Sequence, residues 1–295
     1  MPELAATIAE SLGHPQGPDV MDDGTVIFAE TYRSRLMLCS ASGRLSELYR
    51  CGGGPNAVLL GSDLQVYFTQ NGGQAGDWRA DHQRPPALEC LDMSTGKVTE
   101  ICREVGGRPL LAPHDLAWGP DGSLYMTDSG TWAPDGDTEP GAIIAISPRG
   151  HAELILDTGH VFPSGIALAG DGTVYWAECY TRRIMRMKKG GSPAEVCTLP
   201  PGHTPESLKI DENGNFWVAA LEAAGFDIIT PNGEIIGFIP TGGLPLNGTL
   251  HGGRLYVADL GPFDESQPAP QFLGRIQAVQ CDARPWPAFR STIDM

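Results

Sequence analysis

The chain has 295 residues, of which 41% are hydrophobic and 19% charged, and a net charge of −16. Such acidity excludes a nucleic-acid backbone as a partner, because phosphates are held by lysine and arginine, and the apolar content excludes a disordered chain. Seven cysteines without CxxC spacing fit reduced thiols and exclude a disulfide framework or a zinc site.

The opening stretch, MPELAATIAESLG, has neither a basic region nor a long apolar run. No signal peptide is therefore expected, and no segment reaches the length of a membrane span, so a cytoplasmic protein without a membrane partner is expected. From residue 15 onward a short turn carrying a polar residue opens the same pattern six times: Pro15-Gln16-Gly17, Pro55-Asn56-Ala57, Pro113-His114-Asp115, Pro163-Ser164-Gly165, Pro205-Glu206-Ser207 and Leu246-Asn247-Gly248. An aliphatic residue comes next, then in most copies an Asp-Gly or Asn-Gly turn, then a β-branched and aromatic strand. Ala5–Ser11 precedes the first copy and belongs to none of them.

Each copy predicts four antiparallel strands. In the first copy the later three lie at Thr25–Ala29, Arg35–Cys39 and Leu45–Tyr49. In the third they are Leu124–Thr127, Gly141–Ser147 and Ala152–Leu156, and in the fourth Thr173–Ala177, Arg183–Lys188 and Ala194–Leu199. The fifth gives Phe216–Ala219, Gly225–Ile229 and Glu234–Ile239. The period is about 40 residues and is stretched by insertions at Gly72–Pro86, Trp132–Pro140 and Gly261–Phe272. Four strands repeated radially make a β-propeller. The expected fold is therefore all-β: one domain over 1–295, six blades, with Ala5–Ser11 supplying the missing outer strand of the last blade. A solenoid is the architectural alternative, but it requires no such closure.

The first strand of a propeller blade lines the central channel, so the six turn residues point to one axial site. All three insertions come after a second strand and should share a face. Trp78, Trp132 and Phe263 lie in or beside them, either as substrate walls or as caps on exposed blade edges. His114 and Glu206 are two blades apart and can divide general acid and general base work. Gln16, Asn56, Ser164, Asn247 and Trp132 are candidates for substrate contact. Cys179 and His251 are less favoured, Cys179 because no base is evident beside it.

The recurring PxGxxxxxDGxxYxA pattern, clearest in PSGIALAGDGTVYWAE (163–178), resembles the SMP-30/gluconolactonase family over nearly the whole chain. The resemblance implies a small-molecule hydrolase that opens a lactone in the central channel. It also implies one divalent cation, usually calcium, held by Glu before Gly-Pro in blade one, Asn in blades three and four, and Asp in blade five. At those positions this sequence has Gln16, His114, Ser164 and Glu206. The metal ligands implied are Glu206, Ser164 and Gln16, with His114 shifting the preference toward Zn2+ or Mn2+. The single carboxylate leaves a metal-free site open. Three functions are compatible with these residues: a lactonase; a metal-independent lyase, isomerase or C–C bond hydrolase using His114 and Glu206; and a ligand-binding propeller without turnover.

Overall fold

A computed structural model describes residues 6–294 apart from 63, 134–135, 265 and 287–288. Its described residues form six four-stranded antiparallel sheets and two short two-stranded ribbons. Blade 1 comprises Pro15–Val20, Val26–Glu30, Arg35–Cys39 and Leu45–Arg50, in that order from the axis outward. The inner strands of blades 2 to 6 are Pro55–Leu60, Pro113–Trp118, Pro163–Leu168, Pro205–Ile210 and Pro245–His251. The six-bladed reading holds, and strand limits read from the sequence differ by at most a few residues. In blade 3 the outer strand runs on to Gly159.

The turns form for local reasons. Gly122 and Gly172 close hydrogen-bonded turns onto Gly119 O and Ala169 O at 3.0 Å each. Both glycines have left-handed φ, 79° and 78°, a region that side chains with a Cβ disfavour. The aspartate before each glycine accepts from the residue after it: Ser123 N to Asp121 and Thr173 N to Asp171, both at 3.0 Å. Near the axis glycine serves another end. A Cβ on Gly165 would stand 2.4 Å from Leu208 N, so the inner strands of blades 4 and 5 can approach only with glycine there.

Among the described residues no single apolar cluster occupies the centre. The buried apolar residues fall into six clusters, each at a boundary between adjacent blades. Phe28 meets Tyr256 and Ile276 between blades 1 and 6, and Trp217 meets Val257 and Val279 between blades 5 and 6. Each such buried side chain contributes about 1.5–3 kcal/mol, so stability is spread around the ring.

Side chains just after the second strands clasp neighbouring blades. Thr31 Oγ1 donates to Pro55 O at 2.8 Å, and Ser129 Oγ to Pro163 O at 2.5 Å. Thr69 and Thr127, inside their second strands, donate to His114 O (3.0 Å) and Ser164 O (2.6 Å). These bonds fix the height at which the inner strands of blades 2, 3 and 4 begin.

The ring closes as expected. Ala6–Leu12 pairs with Gly274–Gln280, with Ala6 opposite Ala278 and Leu12 opposite Gly274. A second feature was not expected: the segment beyond Cys281 crosses the far face of the propeller. Trp286 N donates to Ile210 O, Arg290 to Val20 O, Ile293 N to Tyr67 Oη and Asp294 N to Pro148 O, at 2.7–3.0 Å.

Candidate functional site

Because the six inner strands start at the same height, their opening residues form a polar collar at one mouth of the channel. Gln16, Asn56, His114, Ser164, Glu206 and Asn247 are all buried. His114 and Glu206 meet across two blades, with Nε2 3.2 Å from Oε1. At that distance the imidazole and the carboxylate form a close pair of opposite hydrogen-bonding character. His114 Nδ1 is buried without a protein partner.

The other oxygen of Glu206 faces blade 4. Cys179 Sγ lies 3.1 Å from Glu206 Oε2, 3.2 Å from Ser164 Oγ and 3.0 Å from Pro205 O. The sequence shows no base beside Cys179; the structure supplies one, Glu206 of the next blade. Burial, and then the nearby Glu206 charge, push the thiol well above its ordinary value. Cys179 is accordingly a neutral hydrogen-bond donor and not a thiolate nucleophile. It occupies the clasp position held by Thr31 and Ser129 in blades 1 and 3.

Ser164 Oγ donates to Pro205 O at 3.0 Å, which ties it to the scaffold. Asn247 Oδ1 accepts from Ser207 Oγ (2.9 Å) and Gly248 N (2.8 Å), and Gln16 Oε1 accepts from Gly17 N (3.1 Å). Both amides turn their oxygens to the scaffold, which leaves their NH2 ends as donors. Asn56 is buried at the same level.

His14 was missed. It precedes Pro15 as Phe162 precedes Pro163, and both adopt left-handed φ, 57° and 52°. Its Nδ1 is also buried and unpartnered. Burial lowers the pKa of His14 to about 4; a hydrogen bond with its own backbone opposes the shift and the nearby His114 adds to it. The two imidazoles therefore share one electrostatic environment at the mouth. Extending the repeat register by one residue would have exposed the match between His14 and Phe162.

Aromatic rings surround this mouth in two groups. Phe162 lies 5.8 Å from the His114 ring, 5.1 Å from Trp132 and 5.5 Å from Tyr180. Tyr32 lies 5.0 Å from His14, 5.2 Å from Trp78 and 6.4 Å from Phe272. Trp78 and Trp132 thus stand in the rim, whereas at blade 6 the ring in the cluster is Phe272 and not Phe263. His251 is elsewhere, at the opposite end of its inner strand, beside the lower cavity.

That lower cavity, of about 170 Å3, is bordered by Asp19, Leu60, Asp115, Lys209, Trp286 and Arg290. Lys209 Nζ bonds Asp115 Oδ2 at 2.8 Å, and Asp19 accepts from Leu60 N and Val20 N at 2.8 Å each. Burial raises the Asp19 pKa, opposed by the Leu60 N–H and by Arg290. Asp115 points to this end, away from His114, as strand alternation suggests.

With the collar and rim placed, similarity to known proteins acquires a structural meaning. The model of the SMP-30/gluconolactonase/LRE-like region matches residues 14–257. The chain belongs to that family. It is 23% identical to a gluconolactonase of Zymomonas mobilis over 221 residues, which is 68% of this chain and 58% of that protein. It is 26% identical to strictosidine synthase-like protein 3 of Arabidopsis thaliana over 136 residues, 42% of this chain and 35% of that one. The chain thus spans about a third to under three-fifths of these relatives' lengths. A calcium-binding regucalcin of Agrobacterium tumefaciens superposes with a TM-score of 0.78 at 17% identity, covering 99% of this chain and 97% of that one. At that identity the likeness is one of fold.

The cation that the family implies fits this donor set poorly. Calcium prefers six to eight oxygens with several carboxylates among them. The collar offers one carboxylate, and its two oxygens already face His114 and Cys179. Ser164 and Gln16 supply only neutral oxygens, which cannot replace the missing carboxylate charge. No three His, Cys, Asp or Glu side chains among the described residues are grouped to hold a metal ion.

Proposed function

We propose that this propeller hydrolyses a lactone or related cyclic ester at the collar, using His114 and Glu206 as an acid–base pair. The observation that carries the reading is the 3.2 Å contact between His114 Nε2 and Glu206 Oε1 within the polar collar. Similarity to a gluconolactonase supports the reaction class.

His114 Nε2, which faces the channel beside Glu206 Oε1, removes a proton from water as it attacks the ester carbonyl. The carboxylate stabilises the imidazolium that forms. The NH2 ends of Gln16 and Asn247 donate to the developing oxyanion. Collapse of the tetrahedral adduct breaks the ring C–O bond, and the imidazolium returns its proton to the alkoxide. The product is a hydroxy acid, whose new carboxylate is repelled by Glu206 and leaves. Every atom of water ends in product.

A panel of lactones and esters, assayed with and without rigorous chelation in isotopically labelled water, tests this. The expected outcome is chelator-insensitive turnover with one labelled oxygen in the acid. Turnover without label transfer assigns a lyase or isomerase to the same pair. Activity lost to chelator and restored by calcium overturns the metal-free mechanism. No turnover on any lactone or ester overturns the hydrolytic reading and leaves the lyase, isomerase, C–C bond hydrolase and binding readings.

A further inference from the structure

The rim of the collar separates two kinds of lactone. A sugar lactone presents hydroxyl groups in every direction and needs a donor or acceptor for each. An aromatic lactone presents a flat apolar face and a single polar edge.

The polar atoms of the rim are largely consumed within it. Thr131 N and Oγ1 bond the Glu139 carboxylate, and Thr138 Oγ1 bonds Thr131 O. Gln74 Nε2 reaches Thr131 Oγ1 at 3.3 Å and joins the blade 2 and blade 3 insertions. Tyr180 Oη pairs with Ala133 N and O at 2.9 Å each, so its ring alone is left to face outward. His160 Nδ1 is held by Thr138 O at 2.5 Å.

Two of the rim's rings remain partly exposed. Trp132 and Phe272 are each 39% exposed, yet both pack into the aromatic groups that border the collar. The Arg33 guanidinium lies 4.4 Å over the Phe272 ring and extends that flat surface. The path from Trp132 through Phe162 to His114 is one of consecutive edge-to-face contacts, 5.1 Å and 5.8 Å between centroids. The Trp132 and Phe162 rings thus lead from the exposed rim to His114.

We infer that the site selects lactones or esters carrying an aromatic or comparably flat apolar group over polyhydroxylated sugar lactones. This rests on the hydrolytic reading, and its test separates the two. The probes are dihydrocoumarin and glucono-δ-lactone. The expected kcat/KM for dihydrocoumarin exceeds that for glucono-δ-lactone by about tenfold or more, the scale of one stacked ring. Trp132→Ala should narrow that ratio while the melting temperature, read in parallel, stays close to wild type. A ratio near one, or one favouring the sugar lactone, overturns the inference and leaves the hydrolytic reading intact. If neither lactone is turned over, the hydrolytic reading fails for both, and binding decides the inference. Dihydrocoumarin should then perturb tryptophan fluorescence in Glu206→Gln, with glucono-δ-lactone silent and the response lost on adding Trp132→Ala. Fluorescence unmoved by dihydrocoumarin overturns it.

Discussion

The two ends of the channel are built from the same six strands and put charge to opposite uses. At the upper mouth His114 and Glu206 meet with a ring nitrogen left unpartnered, under a rim of partly exposed rings. At the lower end Lys209 and Asp115 pair fully, Asp19 is held by backbone N–H groups, and the segment carrying Trp286 and Arg290 lies across them. A buried ion pair with both partners satisfied serves structure, whereas an incompletely satisfied acid–base pair has capacity left for a substrate. Charge alone does not mark a site; unspent hydrogen-bonding capacity does.

The largest effect expected from breaking this contrast is on turnover at the upper end. Glu206→Gln keeps the shape but removes the charge that orients and stabilises the imidazole, so kcat should fall about 10²–10⁴-fold. Thermal melting should show the fold intact. Full activity in that variant removes Glu206 from the mechanism.

The mirror experiment is Lys209→Met, which leaves Asp115 buried without its partner. Stability should fall by about 3–5 kcal/mol in denaturant titrations, while kcat/KM below the melting point changes only a few-fold. A loss of activity comparable to that of Glu206→Gln would mean that the two ends act as one site.

Acid sharpens the comparison further. His14 titrates at about 4 in the folded protein against an ordinary value of 6.5. Above pH 6.5 it is neutral in both folded and unfolded chains and stability is unaffected. Between pH 6.5 and about 4 the unfolded chain binds the extra proton, so stability falls as pH drops, by about 3 kcal/mol in all. His14→Phe should flatten the stability profile within that window. An unchanged slope would show that His14 is not the group responsible.

The smallest effect concerns Cys179. Serine there has one hydroxyl proton to share between Pro205 O, the acceptor that matches Pro163 O of Ser129 in blade 3, and the Glu206 carboxylate, so melting should move little. A hydroxyl donates more strongly than a thiol to the Glu206 carboxylate and favours its ionised form. The acidic limb of the pH–kcat/KM profile should therefore move to lower pH. A profile identical to wild type would leave Cys179 only its place in the clasp.

The fold was legible because its signals are local and repeated. A polar turn such as Pro163-Ser164, a turn such as Asp171-Gly172 and a strand such as Val174–Glu178 each announce themselves within a few residues. His114 and Glu206 could be named because the six-fold register places them at one height. What could not be read is what crosses a blade boundary. Cys179 meets Glu206 only because a second strand ends beside the next blade's inner strand. Likewise Trp286 and Ile293, isolated in a segment without strands, find their partners on blades far away in sequence. The imbalance of the collar, one carboxylate where the family resemblance implies a charged cation site, was visible in the sequence. That its oxygens already face a thiol and an imidazole was not.

The pairing of Ala6–Leu12 with Gly274–Gln280 carries a consequence for how the molecule is made. During synthesis the strand 6–12 emerges long before the one it must join. Until then it waits with an unpaired edge, and blade 6 cannot be completed by its own residues. The other five blades can form in turn, but the ring stays open until the last strand of the sixth has left the ribosome. The polar collar, whose geometry depends on all six inner strands starting level, therefore becomes competent only once that closing strand has joined the ring.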